Sequence, residues 1–185
     1  MNKKIFILFF FCLVIIGFSC GKDNPMAPSQ TRPATVSSGQ GSVAKKGSVQ
    51  ISGISYFDVT DACGSAGQGA AYSLNMTGSL TGCLYTYVDE WECSPSGTYR
   101  EIGREYFVGT YNGEEGTFWT NYKFEAKYEG CAADGSYIGA EIKGRCQHPI
   151  DETLGTGIFE GVPGRLDMKD DIEAGNYPYT GHFNF

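Results

Sequence analysis

The strongest constraint on the fold is an alternation of apolar and polar residues with a period of two. It runs from Thr117 to Glu129 and again from Asn176 to Phe185. Successive side chains of a β-strand point to opposite faces of the sheet, so this period predicts two strands that each bury one face. The buried faces are predicted to carry Phe118, Tyr122, Phe124, Ala126 and Tyr128 in one strand and Tyr177, Tyr179, Phe183 and Phe185 in the other.

The rest of the chain after Val49 has the same β character. All twelve tyrosines and both tryptophans of the protein lie there, and aromatic residues favour strands over helices. Turns are predicted at Asn112-Gly113, Asp134-Gly135 and Pro163-Gly164. We therefore predict an all-β fold, a single antiparallel β-barrel of about eight strands, with a β-sandwich as the alternative. The other predicted strands are Val49–Val59, Ala70–Leu80, Cys83–Val88, Thr98–Tyr111, Ser136–Arg145, Gly155–Glu160 and Gly164–Met168.

The N-terminus has the pattern of an export signal. Two lysines precede an apolar run from Ile5 to Ile16, and small residues follow. This order predicts a signal peptide over residues 1–19. A transmembrane helix is the weaker interpretation, because it needs about 20 apolar residues.

The residues at the predicted cleavage site resemble the lipobox of bacterial lipoproteins. The sequence is Gly17-Phe18-Ser19-Cys20, in which Gly17 replaces the usual Leu, and Cys20-Gly21-Lys22-Asp23-Asn24 is similar to the start of Bacteroides-like lipoproteins. The resemblance implies that Cys20 carries lipid and anchors the protein in the outer membrane, facing the periplasm or the cell surface. The alternative is a plain secreted protein.

Two regions follow the predicted anchor. Residues 20–48 contain many Ser, Gly and Pro and no aromatic residue, which predicts a disordered linker. Residues 49–185 are predicted to form the β-barrel domain, since they are numerous enough for one core. The net charge of −7 argues against nucleic acid as a partner, because phosphate binding needs a basic surface.

The closing strands resemble those of small secreted barrels. The segments are Gly155 to Gly164, Asp170-Asp171 and Tyr177-Pro178-Tyr179-Thr180-Gly181. They are similar to allene oxide cyclase-like and dirigent-like barrels and, more broadly, to calycins. This resemblance implies an eight-stranded barrel whose apolar lumen holds a small hydrophobic molecule, and it carries no catalytic residue over to this chain.

Five cysteines follow the predicted linker, and export favours disulfide bonds. The sequence alone leaves the pairing open. We expect a local bridge between Cys83 and Cys93 and a second between Cys131 and Cys146, with Cys63 as the odd thiol.

Motifs for metals, cofactors and catalysis are absent from the sequence. His148 and His182 lack the spacing of a zinc site, so we predict a surface or structural role for both. No metal and no cofactor are predicted.

One strand, Thr98–Tyr111, carries charges on both faces. Glu101 and Glu105 share parity with Tyr99 and Phe107, whereas Arg100 and Arg104 share parity with Ile102. Either the two carboxylates or the two arginines would enter the lumen, or the charges stay in solvent. Carboxylates inside would be candidates for ligand binding or acid–base work.

The function expected from these features is a non-catalytic binding or interaction module with a small apolar ligand or an envelope protein as partner. An isomerase or cyclase that uses lumen carboxylates or tyrosines is one alternative. A structural or glycan-contacting surface protein, with Trp91 and Trp119 exposed, is another. The candidate ligand-binding residues are Tyr122, Phe124, Tyr177, Tyr179, Phe183, Glu101 and Glu105.

Overall fold

A computed structural model describes residues 47–185, and these form one closed, antiparallel sheet of eight strands. The predicted signal peptide, Cys20 and nearly all of the predicted linker lie outside the described residues. None of the helices within residues 47–185 has the length and apolar character needed to cross a membrane. The strands are β1 (Ser48–Phe57), β2 (Tyr72–Gly78), β3 (Leu80–Cys93), β4 (Thr98–Tyr111), β5 (Glu114–Cys131), β6 (Tyr137–Gly157), β7 (Gly164–Lys169) and β8 (Tyr177–Asn184).

Each strand pairs with its neighbours in the sequence, and β1 pairs with β8 to close the barrel. The closing register runs from Ser48 opposite Asn184 to Ser55 opposite Tyr177. The prediction of an all-β antiparallel fold is confirmed. The one helix in the described part of the chain is a short 3-10 turn at Gly64–Gly67.

Three of the predicted strands differ clearly from the structure. Strands β3 and β6 are longer than expected, and β6 runs on through Cys146 and His148 to Gly157. The predicted strand Gly155–Glu160 is wrong, because the chain leaves the sheet after Gly157 and turns towards Val162. This turn carries Phe159 into the barrel, where the ring is almost fully buried.

The hairpin between β4 and β5 confirms the predicted turn at Asn112-Gly113. Both residues have left-handed backbone angles, φ 53° at Asn112 and φ 82° at Gly113. A two-residue turn with this handedness matches the twist of the flanking strands, and Asn-Gly tolerates it best. The turn sets the register in which Tyr111 faces Glu114.

One end of the barrel is filled by its own side chains. Phe118 stacks on Phe107 with ring centroids 4.7 Å apart and meets Phe159 edge-on at 4.9 Å. Phe183 lies 5.2 Å from Phe159. We call this cluster the floor (Phe107, Phe118, Phe159, Phe183). All four rings are buried, so this end is closed to solvent.

Disulfide bonds are present as predicted, but the predicted pairings are wrong. Cys63 is bonded to Cys83 and Cys93 to Cys131, whereas the remaining described cysteine, Cys146, is a buried free thiol. Cys83 and Cys93 cannot meet because both lie in the single extended strand β3, where ten residues span about 33 Å. Cys131 pairs in register with Tyr137, far along β6 from Cys146.

Candidate functional site

The other end of the barrel contains a cavity of about 550 Å³. It lies above the floor and opens where β1 ends and β2, β4, β6 and β8 begin, beside exposed Phe57 and Tyr137. A volume of this size suits a small organic molecule. The lining residues are Phe57, Tyr72, Leu74, Tyr99, Glu101, Glu105, Phe124, Tyr128, Tyr137, Gly139, Glu141, Cys146, His148, Met168, Asp170 and Tyr177.

Strand β4 turns its carboxylates inward. Its burial alternates so that Tyr99, Glu101, Glu105 and Phe107 are buried, whereas Arg100 is exposed. Of the orientations left open by the sequence, the structure shows the one with two carboxylates in the lumen. Both are then candidates for contact with a ligand.

Glu101 is surrounded by tyrosine hydroxyls from three strands. Tyr122 donates to Oε1 at 2.5 Å, Tyr99 donates to Oε2 at 2.7 Å, and Tyr72 lies 3.5 Å from Oε1. Burial is the main reason that the pKa values of all three tyrosines lie above their usual value, and the Glu101 charge adds to it. The hydroxyls therefore keep their protons and serve Glu101 as donors.

Glu105 accepts hydrogen bonds from three side chains on three other strands. Thr86 donates to Oε1 and Thr120 to Oε2, each at 3.1 Å. His148 Nδ1 makes a short contact with Oε2, and both partners are almost completely buried. An ionised carboxylate only accepts, so the geometry assigns a proton to Nδ1.

The opposite edge of the His148 ring has no partner. Only 1% of His148 is exposed, and its buried Nε2 makes no hydrogen bond with any group of residues 47–185. In the neutral tautomer assigned from these hydrogen bonds, with the proton on Nδ1, Nε2 presents a lone pair. Of the surface and structural roles predicted for His148, the surface position is wrong, since β6 continues past Arg145 and turns this residue inward. His182 lies on the outer side of β8, partly exposed.

A second pair of acidic groups lies nearer the mouth of the cavity. Asp170 and Glu141 approach the same point over Gly144, where a β-carbon would lie 2.3 Å from Asp170 Oδ2 and 2.4 Å from Glu141 Oε1. Burial, together with a hydrogen bond to Glu141, raises the pKa of Asp170 to about 7. The Asp170 carboxyl therefore gains or loses its proton near neutral pH.

Cys146 also faces the cavity but is a poor nucleophile. Burial, with nearby Glu105 adding to it, raises the pKa of its thiol well above the usual value. Its sulfur is 4.0 Å from His148 Nδ1, the nitrogen that already contacts Glu105. The thiol therefore lacks a base to activate it.

The candidate ligand residues from the sequence fall into three groups. Phe124 and Tyr177 line the cavity, as Glu101 and Glu105 do. Tyr122 lies beneath it and reaches the site through Glu101. Tyr179 and Phe183 do not line the cavity: Phe183 belongs to the floor, and the Tyr179 hydroxyl accepts from Leu80 N and donates to Thr77 O.

The two tryptophans lie on the outside of the barrel. Half of Trp91 is exposed. Trp119 is partly covered, with its ring 4.8 Å from that of Tyr106 and the Arg104 guanidinium 5.8 Å away. Neither side chain contributes to the cavity.

The sequence contained a signal for His148 that the strand prediction missed. In Arg145-Cys146-Gln147-His148 the strongly polar Arg and Gln alternate with Cys and His, which continues a period of two. In the structure these residues are exposed and buried in turn, as residues in β5 are. A strand continued through this segment places Cys146 and His148 inward together.

Comparisons of the chain with protein-family models, curated proteins and solved structures found no match. The resemblance to allene oxide cyclase-like, dirigent-like and calycin barrels therefore stays a prediction.

Proposed function

We propose that the protein is a lipid-anchored, exported barrel that binds a small, largely apolar molecule in its lumen without transforming it. The cavity is within the range of small-molecule sites, and its upper wall is mostly aromatic. Two disulfides hold the barrel, and they suit an exported protein.

The observation that carries this proposal is the unpartnered His148 Nε2. Buried polar atoms in proteins are nearly always hydrogen-bonded, and those that are not call for an explanation. Here the ring is fixed by Glu105, which is itself held by Thr86 and Thr120. A rigid acceptor at the bottom of a cavity with mainly aromatic upper walls suits a ligand that is mainly apolar and has one polar group.

The experiment is a fluorescence titration with N-phenyl-1-naphthylamine, an uncharged aromatic probe that brightens in apolar surroundings. Two variants make a matched pair because they place the same ring on opposite faces of β6. Cys146→Phe fills the cavity, whereas Gln147→Phe adds a ring to the outer surface. Circular dichroism melts check that both variants unfold cooperatively.

We expect one probe per protein, with binding reduced at least tenfold by Cys146→Phe and unchanged by Gln147→Phe. If the wild-type protein does not bind the probe, or if both variants bind it like the wild type, lumen binding is rejected.

A second candidate is a proton-transfer enzyme, which the Glu105–His148 pair favours. A buried histidine with a carboxylate on Nδ1 and a free Nε2 has the arrangement of a general base. The lumen tyrosines are not bases of this kind, because burial raises their pKa values.

The opening of 5-nitrobenzisoxazole tests for such a base. Nε2 would take the proton from the ring carbon, the N–O bond would break, and its electrons would leave on the phenolate oxygen of the coloured product. A rate that falls with His148→Gln and follows saturation kinetics supports catalysis. Equal rates for wild type and variant count against it.

The anchor is proposed from the sequence around Cys20. Metabolic labelling with an alkyne-tagged palmitate should label the wild-type protein. Label that persists in Cys20→Ala would contradict a lipid on this residue.

A further inference from the structure

The charges that face the cavity are of one sign. Four acidic side chains line it: Glu101, Glu105, Glu141 and Asp170. Of the residues that the structure describes, no lysine or arginine lines it, and His148 is the one basic side chain there. The cationic residues on β4 to β7 alternate onto the outer face, as Arg100, Lys123 and Arg145 do.

Among residues 47–185, the inward carboxylates have no lysine or arginine as a partner. Glu101 is 8% exposed and Glu105 2% exposed, and their hydrogen bonds come from neutral hydroxyls and one imidazole. Buried charges in proteins are normally paired with an opposite charge. A ligand with a positive charge would supply that partner.

Aromatic rings form much of the wall above these carboxylates. On one side Tyr99 meets Tyr128 edge-on at 6.0 Å and Tyr137 at 5.7 Å. On the other side Phe57 meets Tyr72 at 5.4 Å and Tyr177 at 5.1 Å. The faces of aromatic rings attract cations, and cages of such rings bind organic ammonium groups.

The free nitrogen of His148 also favours a ligand that donates a hydrogen bond. His148 Nε2 is a buried acceptor that makes no hydrogen bond within residues 47–185. A protonated amine offers two or three N–H donors, whereas a carboxylate or phosphate ligand would bring more acceptors.

We propose that the ligand of this lumen is an organic cation, an amine whose apolar body packs against the aromatic wall while its ammonium group faces the carboxylates. This inference rests on the proposed lumen binding and narrows it to a class of ligand. A neutral apolar ligand would leave the buried carboxylates without a cationic partner, and an anionic ligand would add a further acidic group beside them.

The test compares three probes that share one body. They are 2-(1-naphthyl)ethylamine, a cation at neutral pH, the neutral 2-(1-naphthyl)ethanol and the anionic 3-(1-naphthyl)propanoate. Their dissociation constants are measured at pH 7.5 by calorimetry and by displacement of N-phenyl-1-naphthylamine. Glu101→Gln removes one lumen charge, and Glu125→Gln, on the outer face of β5, is the matched control.

We expect the amine to bind at least about tenfold more tightly than the alcohol, and the propanoate to bind most weakly. Glu101→Gln should weaken the amine about tenfold and leave the alcohol unchanged, whereas Glu125→Gln should alter neither.

The outcomes separate this inference from the proposed function. If the alcohol or the propanoate binds as well as the amine, the cation inference is overturned although lumen binding stands. If all three probes and N-phenyl-1-naphthylamine fail to bind, lumen binding itself is rejected, and the cation inference with it.

Discussion

The stability of the barrel should depend on the buried carboxylate of Glu105. Glu105→Leu removes the acceptor for two threonine hydroxyls and for the N–H of His148. These three donors lie on β3, β5 and β6. Each buried donor without a partner costs about 1–3 kcal/mol, and removing the buried charge offsets part of that cost. We expect Glu105→Leu to lower the free energy of unfolding by about 3–5 kcal/mol.

Two further substitutions test whether the expected loss of stability comes from the buried hydrogen bonds of Glu105. Glu105→Gln keeps the shape and two hydrogen-bonding atoms, so it should cost about 1–2 kcal/mol. Glu125→Leu makes the same change on the outer face, where Glu125 contacts Arg100 at 3.2 Å and Arg145 at 3.6 Å in partly exposed ion pairs. Such pairs contribute less than about 1 kcal/mol, so this control should be nearly neutral.

The assay is equilibrium urea unfolding at pH 7 with intact disulfides, followed by tryptophan fluorescence. Equal urea slopes among the variants allow their free energies to be compared. If Glu105→Leu is as stable as the wild type, or more stable, the carboxylate is not held by its donors. The description of the Glu105–His148 pair would then be wrong.

Three other predictions concern the mouth, the disulfides and the floor. The pKa of Asp170 is raised to about 7 in the folded protein, so its effect favours folding below about pH 4 and is lost as the pH rises through 7. Asp170→Asn should therefore gain stability over the wild type between pH 4 and pH 8 in thermal melts, and a constant difference would contradict this. Replacing Cys93 and Cys131 with Ser opens a 38-residue loop and should cost about 4 kcal/mol in urea unfolding, whereas a loss below about 1 kcal/mol would contradict that bridge. Phe118→Ala should cost about 3–5 kcal/mol, because its ring is fully buried in the floor, and a near-neutral result would mean that the floor is not packed.

The sequence predicts the buried faces well where one face is apolar throughout. In β5 and β8 the period of two places Phe118, Tyr122 and Tyr179 inward, as the structure shows. In β4 the period of two does not show which face is buried, because glutamates and arginines occupy opposite faces of the same strand. The glutamates face inward because hydroxyls on neighbouring strands, such as those of Tyr122 and Thr120, donate hydrogen bonds to them. These contacts depend on strand pairings that the sequence does not reveal.

The cysteine predictions were wrong for a related reason. The stretch between Cys83 and Cys93 is short in the sequence, and this favours a local bridge. In the structure β3 is extended there, so each cysteine instead meets one that is distant in sequence, 20 residues away for Cys83 and 38 for Cys93. Such pairings depend on how the sheet closes.

The most direct test of lumen binding uses the two histidines, which are the only ones in the sequence. Long-range proton–nitrogen NMR spectra report the protonation and surroundings of each ring nitrogen in His148 and His182. In the ligand-free protein at neutral pH, Nδ1 of His148 should carry the proton. When N-phenyl-1-naphthylamine or the naphthylethylamine is added, we predict that the Nε2 signal of His148 shifts while both nitrogens of His182, on the outer face, stay unchanged. If the probe binds while His148 is unaffected, the ligand site lies elsewhere and the account is contradicted.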